Sequence, residues 1–332
     1  MSQGNRIDVH HHVIPPDYAK LLHDKGIQPG GIPLPEWSAQ QSLRLMDANG
    51  IATAILSVST PGVWFGDAGE ARRWARRVNE YAAGVVAERP DRFGMFATLT
   101  LPDVDGAIAE ANFALDELHA DGIVLLANNG GSYLGDPAFE RLLGLLDERG
   151  AVVFVHPGEL PGDPVEGIPS FTADFLLDTT RTAISLILSG AMERYRRVRW
   201  ILAHAGGFVP YVAHRILLTT LRTEPKWKLA ALALDRNRAV AHRMEMFQRF
   251  WFDVALSSTP ATYPSLLAVA DRAKVLYGSD FPFAPKLAVK YMRQEHERAD
   301  LTPQTRSAID RSNAERLFPR LAQPIPTNGD DR

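Results

Sequence analysis

No cysteine occurs among the 332 residues of this chain. That absence excludes disulfides, thiolate nucleophiles and zinc held by sulfur, and it leaves histidine and carboxylates as the metal ligands available. It also suits a reducing compartment, so a cytoplasmic protein is expected. An excess of positive charge is missing too: 36 Lys and Arg stand against 39 Asp and Glu, a net charge of −3. Nucleic acid and anionic membrane therefore meet no basic field, and basic residues are not interleaved with aromatics as a nucleic-acid face requires. No apolar run is long enough to span a bilayer. The N-terminus has no basic segment followed by an apolar core, so no secretory signal is expected. The remainder is the composition of a globular enzyme, 45% hydrophobic and 23% charged.

The informative feature is Arg6-Ile7-Asp8-Val9-His10-His11-His12, a short apolar run that ends in histidines. Side chains at i and i+2 leave a strand on the same face. His10 and His12 can thus reach one metal ion, while His11 points away and is expected to make structural hydrogen bonds. The competing reading, a tag remnant or a solvated turn, ignores the strand from which the cluster grows. Three later runs repeat the design: Ala151-Val152-Val153-Phe154-Val155-His156-Pro157, Arg199-Trp200-Ile201-Leu202-Ala203-His204-Ala205-Gly206-Gly207 and Lys274-Val275-Leu276-Tyr277-Gly278-Ser279-Asp280-Phe281-Pro282. Each places a metal-capable residue at the C-terminal end of an apolar strand. His156 or His204 alone would read as a packed core histidine, and Asp280 alone as a helix cap; together they are hard to assign to chance.

Strand-like runs near 6–10, 53–59, 93–100, 122–127, 151–156, 199–204, 250–256 and 274–279 alternate with amphipathic stretches at 68–88, 103–119, 137–149, 178–194 and 208–222. Eight strands separated by helices predict an α/β protein with a distorted (β/α)8 TIM barrel, against a doubly wound open sheet as the alternative. The ends of strands one, five, six and eight converge only if the sheet closes. Residues 1–321 are expected to form a single domain. The Pro- and Gly-rich stretch 13–42 after strand one is read as a lid insertion, 223–248 as a second insertion, and 322–332 as a flexible tail.

The ordered set Asp8-Val9-His10-His11-His12, Phe154-Val155-His156-Pro157, Ala203-His204-Ala205-Gly206-Gly207 and Gly278-Ser279-Asp280-Phe281-Pro282-Phe283 resembles the amidohydrolase superfamily. Within it, the chain is similar to the branch named for 2-amino-3-carboxymuconate-6-semialdehyde decarboxylase. The segments Ala54-Ile55-Leu56-Ser57-Val58-Ser59-Thr60-Pro61-Gly62 and Tyr133-Leu134-Gly135-Asp136-Pro137 look like its 6-methylsalicylate decarboxylase group. The resemblance implies one divalent metal per chain, held by His10, His12, His156 and Asp280, with His204 unligated as an acid or base. Strand four, Gly122-Ile123-Val124-Leu125-Leu126-Ala127, lacks the lysine or glutamate that bridges two metals in binuclear relatives. Three histidines and one carboxylate favour zinc, with manganese as the other choice. The resemblance also implies a homodimer in which Arg215 reaches the neighbour's site and holds a substrate carboxylate; a plain surface or interface role for Arg215 is the competing reading. The branch's second substrate arginine has no counterpart in Gln28-Pro29-Gly30-Gly31, so a small aromatic acid with one carboxylate is expected.

The expected activity is therefore metal-dependent, non-oxidative decarboxylation of a hydroxybenzoate-type acid. The metal chelates the substrate while Asp280 and His204 handle the proton. The alternative keeps the site and makes it a hydrolase of an amide, lactone or carbon–carbon bond, with His204 as general base to a metal-activated water. Three further residues carry open assignments. Trp37 faces substrate or packs the lid, Arg181 touches a substrate carboxylate or pairs with Asp178, and Phe283 walls the pocket or joins the core.

Overall fold

A computed structural model of the chain describes residues 5–223 and 244–322. Its strands are β1 (Arg6–His12), β2 (Ile51–Ser57), β3 (Phe93–Thr98), β4 (Gly122–Leu126), β5 (Val152–His156), β6 (Arg199–Leu202), β7 (Trp251–Asp253) and β8 (Val275–Leu276). They pair in chain order, every neighbour parallel. Both faces of these strands are covered, which is why they read as near-continuous apolar runs rather than as alternation. The last strand returns to the first: Val9 N–H donates to Tyr277 O at 3.0 Å, Asp280 N–H to His10 O at 2.8 Å and His12 N–H to Phe281 O at 2.7 Å. The sheet is a (β/α)8 barrel, and the open-sheet alternative falls.

The barrel interior is filled by Ile7, Ile55, Phe96, Val124, Phe154, Ile201 and Leu276, with Leu317, Phe318 and Leu321 packed against them. The helices that matter for the site are α1 (Pro16–Asp24), α2 (Ala39–Asn49), α3 (Ala68–Glu88), α4 (Val104–Asp116), α5 (Glu140–Glu148), α6 (Ser170–Leu188), α7 (Val209–Thr223) and α8 (Lys286–Arg298). Local chemistry sets several boundaries. The Asp67 and Asp103 side chains accept first-turn N–H groups of α3 and α4, and Gly50, at φ 66°, ends α2 in a left-handed turn. No helix among the described residues is long and apolar enough to cross a membrane.

Residues 13–42 are more ordered than a covering loop. Helix α1 buries Tyr18 and Leu22 in the core, and the Tyr18 hydroxyl donates to Gly62 O at 2.6 Å. Only the turn Pro29–Gly31 and Ile32 reach the barrel mouth. Of the expected second insertion, residues 224–243 lie outside the described residues, as do 323–332 of the expected tail.

Candidate active site

The C-terminal ends of β1, β5 and β8 bring His10, His12, His156 and Asp280 together, with one potential ligand atom from each inside a 4.8 Å cluster. All four are buried. The sequence of β1 makes this possible through an irregularity: its register against β2 shifts between Asp8 and His11. His10 and His12 point into the barrel while His11 turns outward, with Nδ1 2.9 Å from Asp8 and Nε2 2.9 Å from Ser42 Oγ. Gly278 allows β8 to close on this point, since a Cβ there would stand 2.9 Å from His10 Cβ.

Each imidazole is held by its outer nitrogen. His10 Nδ1 lies 3.0 Å from Asp253 Oδ2, His12 Nδ1 3.1 Å from Ser57 O, and His156 Nδ1 2.7 Å from Pro157 O. These acceptors assign the proton to Nδ1 in each ring and leave Nε2 as a lone pair aimed at the centre. There His10 Nε2 and His12 Nε2 are 3.1 Å apart, and Asp280 Oδ1 is 3.2 Å from the first and 3.0 Å from the second. Two ring nitrogens and an anionic oxygen in such contact, with His156 beside them, form a set that needs positive charge at its centre, from a proton on His10 or from a bound cation. A divalent cation satisfies it, so the residues present fit the metal implied by the sequence.

His204 stands apart from this set. Its Nδ1 lies 3.0 Å from Ala255 O, which leaves Nε2 as an acceptor on a residue that lines the adjacent cavity. His204 also groups with His10 and Asp253. The Asp253 carboxylate is already spent, however: Oδ2 faces His10, while Oδ1 accepts the N–H of Ala255 at 2.8 Å and of His204 at 3.3 Å. That trio is a hydrogen-bonded support. Asp253 is the functional residue missed by sequence reasoning, and the signal available was an acid inside the apolar run Phe250-Trp251-Phe252-Asp253-Val254.

The electrostatics follow from burial and two carboxylates. Desolvation holds His12, His156 and His204 below the ordinary histidine value. Burial opposes charge on His10 as well, but Asp253 and Asp280 outweigh it and lift that ring to about 10. For Asp280, burial pushes upward, and His10 with His12 pulls its carboxyl well below the usual range. The site favours positive charge at the point where the lone pairs meet. The backbone around it is strained: His204, Ala205, Leu256 and Asp280 have φ of 55°, 58°, 51° and 62°, in a region non-glycine residues rarely enter.

A cavity of about 550 Å³ opens over His156, His204 and Asp280. Its walls are mostly apolar, and Phe283 contributes one of them, edge-on to His12 with ring centroids 5.4 Å apart. Trp37 lies outside that lining: its indole donates to Ser42 Oγ at 2.9 Å and its ring meets Tyr81, so it packs the base of the lid. Arg181 is also outside, exposed on α6 with Nη1 3.3 Å from the Tyr133 hydroxyl. Asp178, the partner expected for it, instead accepts from Asn128 and from the Gly158 N–H, both at 2.9 Å. Arg215 is exposed on α7, away from this chain's own cavity lining. No lysine or arginine lines the cavity among the described residues.

Comparison with known proteins bears on this geometry. The amidohydrolase family profile matches residues 7–320. The chain is 37% identical to 6-methylsalicylic acid decarboxylase of Aspergillus aculeatus, covering 95% of this chain and 96% of that protein. A crystal structure described as an amidohydrolase II superposes with a TM-score of 0.84 at 32% identity, covering 95% of this chain and 99% of the other. The dihydroxybenzoic acid decarboxylase of Polaromonas sp., solved with bound manganese and 2-nitroresorcinol, shares the fold at 22% identity and a TM-score of 0.77, covering 97% and 98%.

Proposed function

Because the chain belongs to the amidohydrolase family, we propose that it is a metal-dependent, non-oxidative decarboxylase of a hydroxybenzoate-type acid. The observation that carries this reading is the convergence of His10, His12, His156 and Asp280 beneath an aromatic-walled cavity, in a chain similar along its length to a 6-methylsalicylic acid decarboxylase. His10, His12, His156 and Asp280 would hold a divalent cation, which would supply Lewis acidity toward the substrate acid. Zinc suits three imidazoles and a carboxylate; manganese, present in the Polaromonas protein, is its competitor.

The chain's own groups account for the proton. Asp280 gives a proton to the ring carbon that bears the carboxylate. The carbon–carbon bond then breaks, carbon dioxide leaves, and aromaticity returns. A carboxyl held well below its usual value rests ionised, so Asp280 is first loaded with the proton that His204 takes from the phenol. Once protonated it is a strong acid, which suits donation to carbon, and the product phenolate takes a proton from water on release. His204, with Nδ1 fixed on Ala255 O, takes the phenol hydrogen at Nε2 and orients the ring. Phe283 packs the ring face, and Pro29, Gly30 and Ile32 exclude water from above. Trp37 and Arg181 are given no substrate contact.

The proposal extends to a homodimer. Phe208, Tyr211, Arg215 and Leu218 fall on one face of the α7 segment, with Tyr211 86% and Leu218 62% exposed, and a partner covering that face brings Arg215 toward a second site. A cytoplasmic location is proposed from the cysteine-free sequence. The test couples elemental analysis with carbon dioxide release from a hydroxybenzoate panel that includes 6-methylsalicylate. About one metal per chain with release supports the reading, and one metal without release directs the search to lactones and amides.

A further inference from the structure

The cavity over the metal ligands is larger and less polar than a one-ring acid needs. About 150 Å³ accommodates benzene in an apolar protein cavity, and this one measures about 550 Å³. The surplus has a definite place. Ala284, Pro285, Ala288 and Met292 form the wall contributed by α8 and the turn before it. Two of these four are alanines, four residues apart, where leucine or phenylalanine would close the space. The opposite wall is Phe171, Phe175 and Leu176 of α6, and the lid turn seals it: a Cβ on Gly30 would sit 3.4 Å from the Phe175 ring.

A second observation lies on the outside of the same wall. Pro285 and Ala288 also border a shallow groove on the outer side of α8 with Leu287, Lys290, Tyr291 and Gln294, of which Leu287 and Tyr291 are 78% and 52% exposed. The inner cavity and the outer groove thus share Pro285 and Ala288, so α8 is the wall between them. Substrate carboxylate and phenol belong at the metal end. What remains is cavity space against Ala284, Ala288 and Met292, and among the described residues no lysine or arginine lines this cavity to meet a second acid.

On the decarboxylase reading given above, we propose that the preferred substrate carries a neutral apolar substituent longer than methyl, such as an alkyl chain on the hydroxybenzoate ring. The substituent lies along Ala284 and Ala288 inside the cavity. Burying each methylene there is expected to tighten binding by about threefold to fourfold.

The test uses the manganese-loaded protein and 6-methyl-, 6-propyl- and 6-pentylsalicylate. Affinity is read by calorimetry and carbon dioxide release by initial rates. Affinity and kcat/KM rising from methyl to pentyl is the expected result. Ala288→Phe, or Ala288→Leu where the larger side chain prevents folding, is expected to lower the pentyl-to-methyl ratio of both quantities at least tenfold. Affinity that falls with chain length in the unmodified protein overturns the proposal, as does an unchanged ratio in both variants. Absence of carbon dioxide at every chain length sinks the decarboxylase reading separately, because the calorimetric series still decides the chain-length claim.

Discussion

At the N-terminal end of the barrel, His296 is fully buried between the Tyr263 hydroxyl at Nδ1 and Asp310 Oδ1 3.0 Å from Nε2. Arg6, at the start of β1, reaches the same Asp310 oxygen at 2.9 Å and Glu297 at 3.0 Å. At the C-terminal end, His10 is as deeply buried and is also held by a carboxylate, yet its second nitrogen points at another imidazole and at Asp280. The two ends use the same residue types. One closes every hydrogen bond within the protein; the other gathers acceptors around a point that only an added cation or proton satisfies. The first arrangement yields stability and the second a site, since unmet lone pairs held in a rigid frame are what bind and polarise a ligand. The backbone follows the same division. Four of the five left-handed non-glycine residues lie at the C-terminal end, the fifth being His119 in the turn before β4, and none of Arg6, Tyr263, His296 or Asp310 has positive φ.

The sharpest way to break this contrast is at the centre of the site. Asp280→Ala is expected to cost about 10⁴ in kcat, the upper range for a positioned acid. It should also lower metal content, read by elemental analysis, while the far-ultraviolet circular dichroism stays unchanged. His204→Ala separates chemistry from metal binding. It should keep the metal and lose on the order of 10²–10³ in kcat; loss of metal in this variant would make His204 a ligand. Asp253→Asn tests the support beneath His10, and a metal affinity weakened by roughly 10–100-fold is expected by titration against a chelator.

The opposite end should answer differently. Asp310→Ala leaves Arg6 and His296 without their shared acceptor and is expected to destabilise the fold by about 3 kcal/mol in denaturant melts. Metal content and kcat per folded molecule should stay within about twofold. Burial pushes the Asp310 carboxyl upward, but His296 and Arg6 outweigh it and hold the group below its usual value. Its contribution to stability is thus complete above about pH 4 and is lost as pH falls through the folded value. A melting temperature indifferent to acid between unmodified protein and Asp310→Ala would remove that assignment.

The barrel was legible because each strand is written locally as an apolar run with turn residues after it, and all eight predicted runs overlap strands of the sheet. His10, His12, His156 and Asp280 were legible for the same reason: their place at strand ends is a local property. Asp253 was not, because its strand has three residues and its partners lie on β1 and on the turn after β6. Trp37 and Arg181 were ambiguous in sequence, since aromatic and cationic side chains serve packing and binding alike. The fold gives them Ser42, Tyr81 and Tyr133 as neighbours. Within the stretch read as a lid, α1 buries Tyr18 and Leu22 in the core, a contact that proline and glycine content conceals.

The amino-acid sequence by itself determined the period of the strands, the parity that separates His10 and His12 from His11, and the restriction of metal chemistry to imidazole and carboxylate. These depend on covalent geometry and side-chain type within a few residues. Which nitrogen of each ring is left free, which acid supports and which one converges, and how far the cavity runs toward Ala288 were decided only by the tertiary structure. Most of these depend on groups from different strands, 243 residues apart for His10 with Asp253 and 268 for His12 with Asp280, and barrel closure brings β8 against β1.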